Sequence, residues 1–191
     1  MTTIVVVRKG DEAAIAADSL TTFGTTRLAP AYDRYPQKIT AYGDSFIGVA
    51  GSAAHQLVLE NLLERTPSLD FHGKGAIYES FRKLHPLLKD EAFLNPKEEE
   101  DDPYESSQMT VMIANPSGIF AVYSMREVFE FDRFWAIGSG RDFALGSMYS
   151  IYAKTKTVSA IAEAGVMAGA EFDTGTSPPI TLHEVRLKKP A

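Results

Sequence analysis

Apolar and polar positions along the chain fall into blocks of two periods. Ile4-Val5-Val6-Val7 and Ala13-Ala14-Ile15-Ala16-Ala17 are apolar runs separated by Lys9-Gly10-Asp11, a short Gly-containing turn, and predict a hairpin. Pairing Arg8 with Glu12 across that turn sets Thr2 opposite Asp18, side chains on the same face. Gln37 to Tyr42 and Ser45 to Ala50 read as strands joined at Gly43-Asp44. Gly51-Ser52 then opens a helix, Ala53 to Arg65, whose Val58, Leu59, Leu62 and Leu63 recur at helical spacing. A second helix, Gly75 to Ala92, carries Ile77, Phe81, Leu84 and Leu88 on one stripe, and Pro86 is expected to kink it. Met109 to Ala114, Ile119 to Tyr123, Val128 to Phe131 and Phe134 to Ile137 predict four short strands. Gly138-Ser139-Gly140 leads into a helix over Asp142 to Lys154, followed by an alanine- and glycine-rich helix, Val158 to Ala170, suited to close packing. Ile180 to Leu187 forms a last strand. The Pro- and Tyr-containing segment Ala29 to Pro36 fits neither period and reads as a loop. The acidic run between Asn95 and Ser106 reads as a solvated, mobile one. With neither repeat nor linker, this order predicts one α+β domain over residues 1 to 191. Its two antiparallel sheets are stacked and covered by helices on both outer faces, a four-layer αββα sandwich.

Composition narrows the function classes. The chain has 191 residues, 45% hydrophobic and 23% charged, ordinary values for a globular domain with a substantial core. No apolar run is long enough to span a bilayer and the N-terminus lacks a signal-peptide pattern, so a cytoplasmic protein with no membrane partner is expected. Without cysteine there are no disulfides, thiol nucleophiles or thiolate metal ligands. A net charge of -6 argues against a nucleic-acid partner. His55, His72, His85 and His183 show no ligand spacing and read as solvated or helix-surface side chains. No metal and no cofactor are expected.

The candidate chemistry lies at the N-terminus. Thr2 is a small second residue of the kind methionine aminopeptidases accept, so the mature chain is expected to begin there. A free α-amine has a pKa of about 7.7 to 8. At neutral pH it can take the proton of its own residue's hydroxyl, so one residue supplies both nucleophile and base. Thr3 is a poor rival, because strand alternation sends it to the opposite face.

With these pieces placed, the sequence resembles the proteasome β-subunit family, most closely the bacterial HslV peptidases and their stand-alone bacterial proteasome relatives. Thr2-Thr3-Ile4-Val5, Ala16-Ala17-Asp18-Ser19 and Gly24-Thr25-Thr26 stand where that family has its N-terminal threonine, buried aspartate and following turn. Lys38-Ile39 matches its strand lysine, Val49-Ala50-Gly51-Ser52-Ala53-Ala54 its glycine turn, and Ile137-Gly138-Ser139-Gly140 with Phe143-Ala144 its later helix start. The resemblance covers nearly the whole chain and implies the N-terminal nucleophile hydrolase fold and a threonine endopeptidase. It implies Thr2 as nucleophile, Lys38 as the cation that lowers the hydroxyl's pKa, Asp18 as the group holding Lys38, Gly51 as oxyanion donor and Ser139 beside the Thr2 amine. Where the family carries an aspartate with a serine three residues on, this chain reads Glu171-Phe172-Asp173-Thr174-Gly175, and Glu171 and Thr174 stand as the equivalents. The segment from Ala29 to Gln37 is longer than in HslV, and the acidic run around residues 97 to 105 is an addition. The side-chain pocket falls on Thr21, Thr22, Thr40, Val49 and Ala53, none charged, which implies a preference for neutral or apolar side chains before the cleaved bond.

Each residue taken singly has a plainer use: Asp18 as a turn cap, Lys38 on an edge strand, Gly51 and Ser139 in tight turns. Their occurrence together favours the peptidase. The resemblance further implies a peptide or unfolded-protein substrate and a homo-oligomeric ring, as a double ring of twelve or fourteen subunits, with an unfolding ATPase as a further partner. The basic Arg186 to Lys189 end and the acidic loop are its candidate contacts. A catalytically idle ring subunit and a small-molecule amidase of the same superfamily stay open as alternatives.

Overall fold

The computed structural model describes residues 1–97 and 99–188, so Glu98 of the acidic run and Lys189 of the basic end lie outside the described residues. Strands β1 (Thr3–Lys9) and β2 (Glu12–Ala17) form the expected hairpin, β3 (Thr21–Phe23) and β4 (Thr26–Leu28) a small ribbon, and β5 (Ile39–Tyr42) and β6 (Ser45–Ala50) a third antiparallel pair. Helices α1 (Ala53–Arg65) and α2 (Lys74–Pro86) follow, then β7 (Thr110–Asn115), β8 (Gly118–Val122), β9 (Val128–Glu130) and β10 (Phe134–Gly138). Helices α3 (Arg141–Ile151) and α4 (Val158–Phe172) and strand β11 (Thr181–Arg186) complete the order.

The strands make a four-stranded sheet, β10-β1-β2-β11, and a five-stranded sheet, β5-β6-β7-β8-β9, both antiparallel. Three apolar clusters show the layering. Ile4, Val6, Ile15, Met112 and Ile119 fill the space between the sheets. Val5, Val7, Met148, Ile161 and Val166 join the first sheet to α3 and α4, and Val49, Leu59, Leu62, Phe81 and Phe120 join the second sheet to α1 and α2. This is the αββα sandwich. It also explains why β1 is an unbroken apolar run instead of an alternating one: Ile4 to Val7 are covered on both faces and fully buried.

The hairpin register differs by one residue from the expected one. Lys9 pairs with Glu12 and Ile4 with Ala17, so the turn is the two residues Gly10-Asp11 and Arg8 faces Ala13 rather than Glu12. Two-residue turns match the right-handed twist of the flanking strands, which a three-residue loop containing Lys9 does not require. Asp18 therefore falls just past the end of β2, opposite Thr3, where its N–H donates to the Thr3 carbonyl oxygen at 3.2 Å. The predicted second helix ends at Pro86, and a π-helical turn, Leu87–Glu91, continues from it. Proline has no N–H to extend the ladder, which is where such a change of winding belongs. The ribbon β3–β4 arises from a stretch that carries no period, and its strands are too short and too exposed to announce themselves.

Helix α4 is the close-packing helix its composition predicts. Thr3 is fully buried, its hydroxyl 2.7 Å from that of Thr176, and a Cβ at Gly169 would come within 2.6 Å of its Oγ1. Only glycine admits the strand there. The acidic run is tied down at its base: Ser106 N–H donates to Pro96 O at 2.8 Å, and the Glu105 carboxylate meets Lys89 at 2.5 Å and His85 at 3.1 Å. His85 is thus buried between Glu105 and Arg126, not solvated.

His72 clamps two turns together, its Nε2 2.9 Å from Asp44 and its Nδ1 2.8 Å from Asp70. The hydrogen bond with Asp70, with that to Asp44 and both negative charges, raises its pKa above the ordinary 6.5 against a smaller effect of burial. A raised folded-state pKa stabilises fully below the unfolded value and fades as pH rises through the folded one. His72→Asn is therefore expected to lose more stability against wild type at about pH 5.5 than at about pH 8.5, read by urea denaturation at both values. An equal gap at the two would deny the clamp its charge.

Candidate active site

The site is assembled around a carboxylate. Asp18 is fully buried, and its Oδ1 accepts from Lys38 Nζ at 2.8 Å, Thr2 Oγ1 at 3.1 Å and Thr3 N–H at 2.9 Å. Its Oδ2 accepts from the Leu20 N–H at 3.0 Å and the Ser177 N–H at 3.2 Å. The elements that supply these donors are the start of β1, the turn after β2, the residue entering β5 and the segment after α4. Burial pushes the Lys38 ammonium below the ordinary lysine range, while the charge of Asp18 and its hydrogen bond pull the other way. The Thr2 hydroxyl and the Lys38 ammonium thus share one oxygen atom, which brings the nucleophile candidate and the cation candidate together.

A second chain of hydrogen bonds reaches the Thr2 nitrogen. Thr2 N–H donates to Ser139 Oγ at 3.1 Å, and Ser139 Oγ donates to Asp173 Oδ2 at 2.7 Å. Thr176 Oγ1 also donates to Asp173 Oδ2, at 2.6 Å. Burial tends to raise the Asp173 pKa, but the hydrogen bonds from Thr176, Ser139 and the Gly175 N–H, with the positive N-terminus nearby, bring it below the ordinary 3.8. With Met1 attached, the Thr2 nitrogen is a peptide N–H that donates to Ser139. Gly138 adopts φ +92°, and a Cβ there would collide with the Thr2 carbonyl, so the backbone of β10 can close on the start of β1 only at glycine.

Glu171 and Thr174 are not part of this arrangement. Helix α4 runs to Phe172, past its expected end at Ala170, so Glu171 sits exposed on its last turn and Thr174 is exposed beyond it. Asp173 caps the helix, its N–H donating to Gly169 O at 2.8 Å, and turns inward. Asp173 and Thr176 keep the three-residue spacing that the pattern Asp…Ser calls for, a signal present in the sequence two residues further on.

A cavity of about 280 Å³ opens beside these groups, lined by Met1, Thr2, Lys38 and Gly51 and by Thr21, Thr22, Val49 and Ala53 of the predicted pocket. Leu20, Phe23, Ser52 and Gln56, which periodicity did not single out, line it too. Thr40 does not. It lies behind Val49, and its hydroxyl donates to Glu60 Oε1 at 2.6 Å. Ser52 caps α1, accepting from the Ala54 N–H at 3.3 Å, so the positive end of a helix dipole begins next to Gly51. His55 sits against Gly51, with its Nδ1 3.1 Å from where a glycine Cβ would lie. That nitrogen is buried without a hydrogen-bond partner among the described residues, and burial lowers its pKa. Among the described residues no cluster of three or more His, Asp or Glu side chains is placed to hold a metal ion, and no helix is long and apolar enough to cross a membrane.

The Asp173 assignment has a direct check. Its folded-state pKa is depressed, so its contribution to stability is present above about pH 3.8 and is lost as pH falls through the folded value. Asp173→Asn is expected to destabilise the protein at neutral pH, with the gap closing in acid, while Glu171→Gln stays within about 0.5 kcal/mol of wild type throughout. Acid-to-neutral thermal melts of the two variants would refute the assignment if Glu171→Gln proved the more damaging.

No family model matches the chain. A Caldicellulosiruptor saccharolyticus protein described as ATP-dependent protease subunit HslV is 27% identical over 186 residues, which span 96% of this chain and 98% of the relative. Among solved structures, Thiobacillus denitrificans BPH in complex with epoxomicin superposes with a TM-score of 0.88 at 38% identity, covering 98% of this chain and 100% of the other. The eukaryotic HslV of Trypanosoma brucei superposes at 0.71 with 20% identity over 96% of this chain and 99% of its own, a likeness of fold alone. Fold, sequence and full-length coverage agree with the resemblance carried by Thr2, Asp18 and Lys38: the chain belongs to the HslV and proteasome β-subunit family of threonine peptidases.

Proposed function

We propose that this chain is the threonine-type endopeptidase subunit of a ring-shaped, self-compartmentalised protease, acting through Thr2 once Met1 has been removed. The observation that carries the proposal is the single Asp18 oxygen shared by the Thr2 hydroxyl and the Lys38 ammonium at the end of an open cavity. The free Thr2 amine takes the hydroxyl proton, directly or through one water, as Oγ1 attacks the scissile carbonyl carbon. Lys38 favours the developing alkoxide by its charge. The Gly51 N–H, backed by the start of α1, receives the oxyanion, a contact worth about 3 kcal/mol in comparable sites. The C–N bond breaks as the protonated amine returns its proton to the leaving nitrogen, leaving an ester on Thr2. Water activated by the same amine then hydrolyses that ester. Ser139 and Asp173 orient the amine, and Asp173, ionised at neutral pH, stabilises its ammonium form between the two proton transfers.

The whole chain acts as one peptidase domain in this proposal, in a cytoplasmic homo-oligomer built as a double ring of twelve or fourteen copies. A peptide or unfolded protein is the substrate, and an unfolding ATPase is the partner, a role supported by the ATP-dependent protease subunit among the relatives. Epoxomicin, found on the Thiobacillus denitrificans relative, is expected to occupy the cavity beside Thr2 here.

Purified protein should begin at Thr2 by N-terminal sequencing and cleave fluorogenic peptides, with an acid limb in kcat/KM near the amine's pKa of about 7.7 to 8. Thr2→Ala is expected to lower turnover by at least about 10³-fold while the assembly elutes unchanged from a sizing column. Undiminished cleavage by the alanine variant would end the proposal.

A further inference from the structure

We infer that Gln56 determines which side chain precedes the cleaved bond, presenting a hydrogen-bond acceptor at the floor of the cavity, with Glu60 as the residue that holds it in place. The inference rests on the peptidase reading above. Gln56 lines the cavity that contains Thr2 and also lines the closed space behind Val49, shared with Thr40, Leu59 and Glu60, which is too small for a water molecule. With Lys38 and Val49, it forms the partition between the two.

Its amide is oriented by what surrounds it. Gln56 Nε2 donates to Gln37 O at 2.7 Å and to Glu60 Oε1 at 3.0 Å, and Glu60 Oε1 also accepts from Thr40 Oγ1 at 2.6 Å. A backbone carbonyl and a carboxylate are acceptors only, so the reversed amide would press oxygen against two oxygens. Both amide hydrogens are therefore committed away from the cavity. The carbonyl Oε1, with no partner among the described residues, is the polar atom Gln56 retains for the cavity it lines. The Glu60 carboxylate stands one hydrogen bond behind it and adds negative potential. Lys38, which lines both spaces, is engaged by the Asp18 carboxylate at 2.8 Å.

Such a floor rewards a side chain that ends in N–H donors. Glutamine and lysine before the cleaved bond gain a hydrogen bond, leucine leaves the acceptor unpaired, and glutamate brings lone pairs and charge against it. This replaces the preference implied by the uncharged lining residues alone, neutral or apolar side chains, with one for side chains that end in N–H donors, lysine included.

Four fluorogenic peptides differing only in Gln, Lys, Leu or Glu before the fluorophore test this on the assembled, processed protein. Wild type should cleave after Gln about 10-fold faster than after Leu in kcat/KM, and after Glu at least about 100-fold more slowly than after Gln. Gln56→Leu and Gln56→Met should bring the Gln/Leu ratio to about one or below. That ratio does not depend on how much of a variant is folded. Glu60→Leu, which frees the amide to turn, should erase the same ratio. Glu60→Gln, which keeps an acceptor, should preserve it while reducing the rate after Lys. A wild type that ranks Leu above Gln, or variants at Gln56 with an unchanged ratio, would overturn the assignment and leave the peptidase standing. A wild type that cleaves none of the four, nor a broader peptide mixture, would overturn both.

Discussion

Burying the Asp18 carboxylate is the constraint on which the rest of the site depends. A fully buried carboxylate is a liability of several kcal/mol unless charge and hydrogen bonds replace its water. Here five donors do so, three on one oxygen and two on the other. They come from four separate parts of the chain, so the carboxylate is satisfied only when those parts are correctly placed. The converse holds for Lys38, whose pKa burial lowers and whose charged form the Asp18 carboxylate favours. Neither member of the pair is tolerable alone, and that mutual need fixes the distance between the lysine and the Thr2 hydroxyl.

The sandwich supplies the rigidity this arrangement requires. Strand β1 is central in its sheet, paired with β10 and β2 and covered by apolar side chains on both faces, so its first residues have little freedom. Thr2 faces the carboxylate, and its neighbour Thr3 points to the other side, where Thr176 and the glycine of α4 close on it. In the proposed reaction one residue serves the chemistry, and the next anchors the strand to the helical layer. Because Thr176 also holds Asp173, the anchor of Thr3 and the orientation of the Thr2 nitrogen are linked through one hydroxyl.

Periodicity made the fold legible wherever an element was long and buried. The unbroken run Ile4 to Val7 and the stripe Leu59, Leu62, Leu63 led to β1 and α1 within a residue or two. The misses share a cause, which is that local pattern says nothing about exact length. The hairpin turn was one residue shorter than Lys9-Gly10-Asp11, and α4 ran two residues beyond Ala170. That small extension moved the acidic residue of the site from Glu171 to Asp173. Thr2 and Asp18 stood out as polar residues at the ends of apolar strands, whereas Lys38, Gly51 and Ser139 came from the resemblance to the family. Gln56 and His55 did neither, since nothing in a helix's sequence tells which of its polar positions faces a cavity built by distant strands. Thr40 came from the family's pocket positions, but here it lines the closed space next to the cavity and its hydroxyl is taken up by Glu60.

A single peptide bond separates two chemical states of this site. With Met1 attached, the Thr2 nitrogen is an amide whose lone pair is delocalised into the Met1 carbonyl, so it donates to Ser139 and has nothing with which to accept a proton. The hydroxyl accordingly gives its hydrogen to Asp18. The Met1 carbonyl oxygen lies 3.5 Å from Lys38 Nζ, and Met1 itself lines the cavity and packs against Gly175. In the proposed activation, release of Met1 makes the nitrogen basic, takes a competing oxygen from the lysine and gives the cavity room. Under the proposed function the same carboxylate serves both states, so folding and activation are separable and Thr2 is positioned before it is armed.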